Sequence, residues 1–257
     1  MFYFSRPKGG LMVGKGLLRP PAVCRVKADS PIKILFVSDM HLRAGSWKTA
    51  ENVYSLIESE KPETVIFGGD FAENDVSFLA FFDGLRKYSC PFGMFAVEGN
   101  NEYGRLKKDR EKIASVMKEG GVTLLRGECA RIETPKGAIE IAGVWDSFIN
   151  PDAGAKGIFS EDDKAYRILL AHEPLRKYLD EIGMDADLML SGHTHGGQVN
   201  VLGFTCYELL NYESNYRFTH IADVKKFGKC TSIVSRGIGT SKFNIRFGAR
   251  SEVYVIE

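Results

Sequence analysis

The sequence is poor in cysteine. Five are present (Cys24, Cys90, Cys129, Cys206 and Cys230), an odd number at long spacings, with no C-x-x-C pair. That argues against a disulfide framework and against a thiolate zinc site, and predicts reduced, packed thiols. Also missing is any stretch near the roughly 18 uninterrupted apolar residues of a membrane-spanning helix. The basic residues at the N-terminus are not followed by the apolar core of a secretory signal. The expectation from these absences is a cytoplasmic protein. No repeat, low-complexity tract or dividing linker is visible, and 257 residues suffice for one large α/β domain with a buried core.

Net charge is nearly absent too, at +1, but its distribution is uneven. Residues 1–33 carry seven Lys/Arg against one acid, and residues 215–257 carry eight against three. The stretch between them carries nineteen against twenty-nine. An acidic centre suits cation binding. Basic flanks suit a phosphate-bearing partner, an anionic membrane surface or nucleic acid, or are simply solvated charge. No specific nucleic-acid motif is present. Residues 1–31 are interrupted by Gly9, Gly10, Gly14, Gly16, Pro20 and Pro21, with Met1–Phe4 and Leu11–Val13 set among Arg6, Lys8 and Lys15. This segment reads either as a basic, apolar extension resting on an anionic membrane or as an edge strand on the core. Residues 32–257 read as the single main domain.

From residue 32 the chain alternates. Ile32–Ser38, Thr64–Phe67 and Met94–Val97 read as buried strands. Trp47–Glu60, Val76–Tyr88 and Leu106–Glu119 have the spacing of amphipathic helices. Short apolar runs alternating with helices predict parallel pairing through crossovers. Beyond them, Val122–Arg126, Ala130–Glu133 and Ala138–Val144 read as a strand meander. Arg167–Ala171 and Leu188–Ser191 read as buried strands around a helix at Pro174–Ile182, and Ile233–Ser235 and Val253–Ile256 as closing strands. The predicted class is α/β, two sheets flanked by helices.

Four of the five histidines end apolar runs: Ile-Leu-Phe-Val-Ser-Asp39-Met-His41, Ile-Leu-Leu-Ala-His172, and Leu-Met-Leu-Ser-Gly-His193-Thr-His195. Two further runs end at Asp70 and at Asn100-Asn101-Glu102. Loops after the carboxyl ends of strands gather on one edge of an α/β sheet. The five turns would therefore bring together Asp39, His41, Asp70, Asn100, His172, His193 and His195. Seven oxygen and nitrogen donors are too many for one tetrahedral ion and fit two ions sharing a ligand. Imidazole mixed with carboxylate suits Mn, Fe, Zn or Co better than Ca.

The block order D-x-H, G-D, G-N-x-E, H and G-H-T-H resembles the calcineurin-like metallophosphoesterase superfamily. GHTHGGQV at Gly192–Val199, with Ser235–Arg236–Gly237 and Arg246–Phe247–Gly248, is similar to its bacterial and archaeal phosphodiesterase branch, the YkuE/YaeI type. The resemblance spans about residues 32–257. It implies a two-sheet α/β/β/α sandwich and two divalent metal ions. Asp39, His41 and His195 would hold one ion, Asn100, His172 and His193 the other, and Asp70 would bridge them. Hydroxide between the ions would then attack phosphorus in line. The implied activity is that of a phosphodiesterase. The alternative is a pyrophosphatase working at the membrane face on a nucleotide-linked lipid such as UDP-diacylglucosamine. A nuclease and a non-catalytic scaffold are weaker readings, the latter because all seven ligand positions are filled.

One position departs from the family pattern. Relatives usually carry histidine where this chain has Asn101, and that histidine contacts phosphate and is proposed to protonate the leaving group. A carboxamide donates a hydrogen bond but is no acid near pH 7. Asn101 is thus the expected catalytic contact, with acid catalysis altered. Arg236 and His220 are candidate substrate contacts. Asp187 is expected to orient a histidine or to cap backbone, Glu102 to bond a ligand or backbone. The aromatic stretch Phe204–Phe218 is expected to wall the substrate cleft or to pack as a long loop.

Overall fold

The structure, a computed structural model, describes residues 11–13, 20–105, 110–144, 154–162, 164–205 and 218–257. Its first sheet grows from short runs buried on both faces. Strands β3 (Ile34–Val37), β4 (Thr64–Phe67), β5 (Met94–Ala96) and β6 (Val122–Leu124) pair in parallel. Strand β14 (Glu252–Ile256) lies antiparallel to β3, and β2 (Ala22–Val26) closes that edge parallel to β14. Successive side chains of a strand point to opposite faces, which splits each run between two cores. Leu35, Val37, Val65, Phe67 and Ala96 pack on helices α1 (Trp47–Glu60), α2 (Asp75–Leu85) and α4 (Arg110–Glu119) through Val53, Ile57, Phe78, Phe82 and Met117. Ile34, Phe36, Ile66 and Phe95 face the other way, into the space between the two sheets.

The second sheet has the order β11 (Asp223–Phe227), β12 (Cys230–Val234), β10 (Leu188–Ser191), β9 (Tyr166–Leu170), β8 (Gly137–Gly143) and β7 (Glu128–Thr134). Its inner face supplies Ile139, Ile141, Ile168, Leu170, Leu188 and Ile233 to the inter-sheet core. Its outer face packs Leu169 and Met189 on Tyr178 and Leu179 of α5 (Arg176–Glu181). The result is the α/β/β/α sandwich that the motif order implied.

One local reading needs correction. Val122–Leu124 is no part of a meander: it pairs with β5 in the first sheet, and only β7 and β8 form a hairpin in the second. The helix expected over Leu106–Glu119 is α4 over Arg110–Glu119; residues 106–109 lie outside the described residues, and a short helix, α3 (Asn100–Arg105), comes before them. Within the N-terminal segment, residues 22–26 form the edge strand of the first sheet. β1 (Met12–Val13) pairs antiparallel with β13 (Ile245–Arg246), while Met1–Phe4 lie outside the described residues. Among the described residues no helix is long and apolar enough to cross a membrane.

Candidate metal centre

The turns leaving β3, β4, β5, β9 and β10 meet at one end of the sandwich. Asp39, His41, Asp70, His193 and His195 all have left-handed backbones there, with φ of 51°, 44°, 54°, 68° and 51°. Such geometry costs a non-glycine residue about 1–3 kcal/mol and gathers where a site needs side chains aimed against the ordinary run of the chain. Backbone bonds hold it: Asp39 N–H donates to Gly69 O and His41 N–H to Asp70 O, each at 3.0 Å. Two glycines are steric requirements. A Cβ on Gly99 would strike the Asp70 carboxylate, and one on Gly192 would strike that of Asp39.

All seven expected donors converge. His41 Nε2 lies 2.9 Å from His195 Nε2 and 3.3 Å from Asp70 Oδ2. His195 Nε2 is 3.6 Å from Asp39 Oδ1. On the other side, His193 Nδ1 is 3.0 Å from Asn100 Oδ1 and 3.3 Å from His172 Nε2. His172 Nε2 is 3.6 Å from Asp70 Oδ2, so Asp70 stands between the two halves. Asp39, His41 and His195 form one group able to hold an ion, and Asp39, Asp70 and His172 another, with ligand atoms within 4.8 Å of one another in each.

The tautomers fit metal binding. His41 Nδ1 reaches Glu73 Oε1 at 2.7 Å, and His172 Nδ1 reaches Gly68 O at 2.7 Å. The Gly68 carbonyl can only accept, so His172 Nδ1 carries its proton. His41 Nδ1 has both the Glu73 carboxylate and, at 2.8 Å, the Asn101 carboxamide beside it. With that ring's proton donated to Glu73, both Nε2 lone pairs are left to the centre. There the His172 lone pair meets Asn100 Oδ1 at 3.3 Å as well as Asp70. Acceptor against acceptor in a buried space is repulsive, and a cation between them converts the repulsion into coordination. Burial lowers the pKa of His41, against the raising charges of Asp70 and Asp39. Burial, and then the charge of His172, pushes His193 down to about 3. His195 falls well below its ordinary value through burial, His41 and Arg246. These three rings are therefore neutral and able to ligate. Burial raises the pKa of Asp39. Burial also pushes Asp70 up, but the charges of His172 and His41 outweigh it and its pKa is lowered.

The surroundings answer several expectations. Glu102 bonds backbone: its carboxylate accepts from the N–H groups of Gly99, Asp70 and Phe71 at 2.8–2.9 Å. Asp187 also bonds backbone, accepting from Arg167 N–H at 2.8 Å. Asn101 is buried beside the donors, with Nδ2 3.0 Å from Glu73 Oε1 and its own N–H donating to Asp70 Oδ1 at 2.8 Å. Arg236 is not at the cleft. Its guanidinium is fully buried and paired with Asp223 at 2.7 Å and Glu252 at 3.1 Å, because strand β12 carries it into the interior. His220 is likewise interior, with Nε2 3.1 Å from Asp223 O and the ring beside Phe227.

A cavity of about 700 Å³ opens over the donors. His41, Asp70, Asn100, Asn101 and His193 lie on one side, and Val199, Val201, Phe204 and Phe243 on another. Phe204 thus walls the cleft. Phe218 is buried with its ring 5.9 Å from that of His193, and Tyr207, Tyr212 and Tyr216 lie outside the described residues. Two residues have a place in the site that the sequence motifs did not assign. Glu73 holds His41 from three positions beyond Asp70, a spacing that is visible once the Asp70 turn is known to fold back. Arg246, whose Nη2 lies 3.2 Å from His195 Nδ1, comes from a strand 51 residues downstream.

A sandwich of this class, with neutral histidines and buried aspartates at the strand ends, is that of a metal-dependent hydrolase. Residues 32–197 match the calcineurin-like phosphoesterase family, and the chain belongs to it. It is therefore a phosphoric ester hydrolase that depends on divalent metal. Among its relatives, phosphodiesterase YaeI of Escherichia coli (strain K12) is 31% identical over 89% of this chain and 82% of its own. The uncharacterized metallophosphoesterase YkuE of Bacillus subtilis (strain 168) is 32% identical over 87% and 77%. YkoQ of the same organism, also an uncharacterized metallophosphoesterase, is 30% identical over 88% and 83%.

Proposed function

We propose that the chain is a phosphodiesterase working with two divalent ions, of Mn, Fe, Zn or Co. Asp39, His41 and His195 would hold one ion, Asn100, His172 and His193 the other, and Asp70 both. The observation that carries this is the position of Asp70 Oδ2, 3.3 Å from a nitrogen of one trio and 3.6 Å from a nitrogen of the other. The name of the relative YaeI supports the diester.

The ions, when bound, supply Lewis acidity, lowering the pKa of water and opposing the charge that builds on phosphate oxygens. The chain supplies the rest. Glu73 and the Gly68 carbonyl fix two imidazoles with their Nε2 atoms inward. Asn101 N–H occupies Asp70 Oδ1 and leaves Oδ2 for the centre. Glu102 gathers the backbone of the Asp70 and Asn100 turns onto one carboxylate. The Asn101 carboxamide, which lines the cavity, would turn from Glu73 to donate to a substrate oxygen.

Metal analysis with turnover of bis-p-nitrophenyl phosphate tests the reading. We expect two ions per chain and a diester turned over faster than p-nitrophenyl phosphate. Asp70→Asn should lose metal and at least roughly a hundredfold in kcat. A single ion per chain, or a clear preference for the monoester, would overturn it.

A further inference from the structure

Exposed apolar side chains are unevenly spread over this molecule. Of thirteen large hydrophobic residues exposed among the described residues, eight lie on one rim. Val199, Val201, Leu202 and Phe204 come from the loop after His195, and Phe243 and Phe247 from the loop beyond β12. Leu202 is 85% exposed and Phe243 72%, extremes for side chains of that size. The two loops are tied together. Val199 bridges to Phe247, Asn200 N–H donates to Phe247 O at 2.7 Å, and Gln198 Nε2 donates to Phe243 O at 2.9 Å. The β1–β13 ribbon continues the same rim, adding Leu11 and Ile245. Isolated exposed hydrophobics need no explanation, but a contiguous patch does.

Position and charge indicate what covers it. Val199, Val201, Phe204 and Phe243 are also the far wall of the cavity that holds His41, Asp70 and Asn101. An occupant of the patch is thus continuous with the reacting phosphate. Lys242, exposed, lies in the same wall, and Arg43 donates to Thr240 O two residues before it. Apolar side chains beside cations match an anionic lipid surface, whose interior takes the first and whose headgroups take the second. A second copy of the chain would meet the same positive charge.

We infer that the rim formed by residues 199–204 and 243–247 seats in an anionic membrane, and that the substrate is a phosphoester lipid delivered from it. The substrate half rests on the phosphoesterase reading above; the docking half does not. The contact differs from the one expected of the N-terminal segment alone, because it is built by the loops that wall the active site.

Sedimentation of the full chain with phosphatidylglycerol vesicles tests this, with no turnover required. The double variant Leu202→Ser/Ile245→Ser removes exposed apolar surface of the rim without changing charge, lines no part of the cavity and touches no metal donor. Wild type should sediment, less well at high salt, and the double variant should bind more weakly by roughly tenfold or more. Its turnover of soluble bis-p-nitrophenyl phosphate should equal that of wild type, which shows that it is folded. Leu202→Ser alone, at the most exposed position, should give an intermediate loss. Three results would overturn the inference: no sedimentation of wild type at low salt, equal binding by both proteins, or a wild-type dimer that the double variant makes monomeric. Vesicle binding without turnover of any diester would sink the phosphodiesterase reading and leave the docking surface standing.

Discussion

Asn101 carries its carboxamide to within 3.0 Å of Glu73 Oε1, the same oxygen that faces His41 Nδ1 at 2.7 Å. In the proposed site one carboxylate would thereby orient both a metal-donor imidazole and the residue next to the reacting phosphate. The amide can bind an oxygen but holds no proton that it can release near neutral pH. Leaving groups must therefore depart as anions or find a proton in water. We expect the rate to fall steeply with rising leaving-group pKa across a series of aryl diesters. Asn101→His should flatten that slope and raise the rate for poor leaving groups by roughly tenfold or more, within the range of general acid catalysis. A flat slope in wild type, with chemistry shown to limit turnover, would remove Asn101 from this role. The departure from the usual histidine was legible at position 101 in the sequence. Its partner was not, because Glu73 becomes a neighbour only when the Asp70 turn closes.

Elements explain which parts of the fold could be read. The inner strands are continuous apolar runs such as Ile34–Val37 and Leu188–Ser191, and their bounds fall within a residue or two of expectation. The strands that escaped are the edges. β2 and β11 alternate partly buried and exposed positions, with Arg25 and Lys226 turned outward, so they look like solvated loops. Sheet membership was also hidden at Val122–Leu124, since partner choice is non-local. His220 shows how an edge strand is anchored: it is buried at the entry to β11, and its pKa is pushed down to about 4 by burial, against the Asp223 carbonyl. A histidine whose folded pKa lies below the unfolded value of about 6.5 leaves stability unaffected above that pH. As pH falls from 6.5 to 4 the unfolded chain takes up the proton first, and stability drops. The size is on the order of 3 kcal/mol, the free energy of moving a proton equilibrium from 6.5 to about 4. Between pH 7 and pH 4 wild type should lose about that much more unfolding free energy than His220→Phe, read from denaturant melts at each pH. Parallel pH profiles would show that His220 is no such anchor.

On the scale of the whole molecule, the two sheets bring the proposed metal ligands from opposite sides of one seam. Asp39, His41, Asp70 and Asn100 come from the first sheet, and His172, His193 and His195 from the second. Divalent ions bound there would cross-link the layers as well as activate substrate. Without them Asp39, Asp70 and Glu102 share a buried space, where burial and the charge of Asp70 push Glu102 up to about 8. Binding to the folded state alone stabilises by about 2.7 kcal/mol per site at a hundred times Kd. For a chain of this size that is a rise in Tm of roughly 5–10 °C per site over chelated protein. Asp70→Asn should shrink the rise, and in the chelated state it should melt below wild type, because, against burial, His172, His41 and the Asn101 N–H favour the charged carboxylate and lower its pKa. Both shifts are read by calorimetry against a titration of Mn²⁺. If the chelated and loaded wild-type proteins melt together, the seam is held by its apolar core alone. If chelated Asp70→Asn melts at or above chelated wild type, repulsion from Asp39 and Glu102 outweighs those partners and the charge of Asp70 is a burden to the fold.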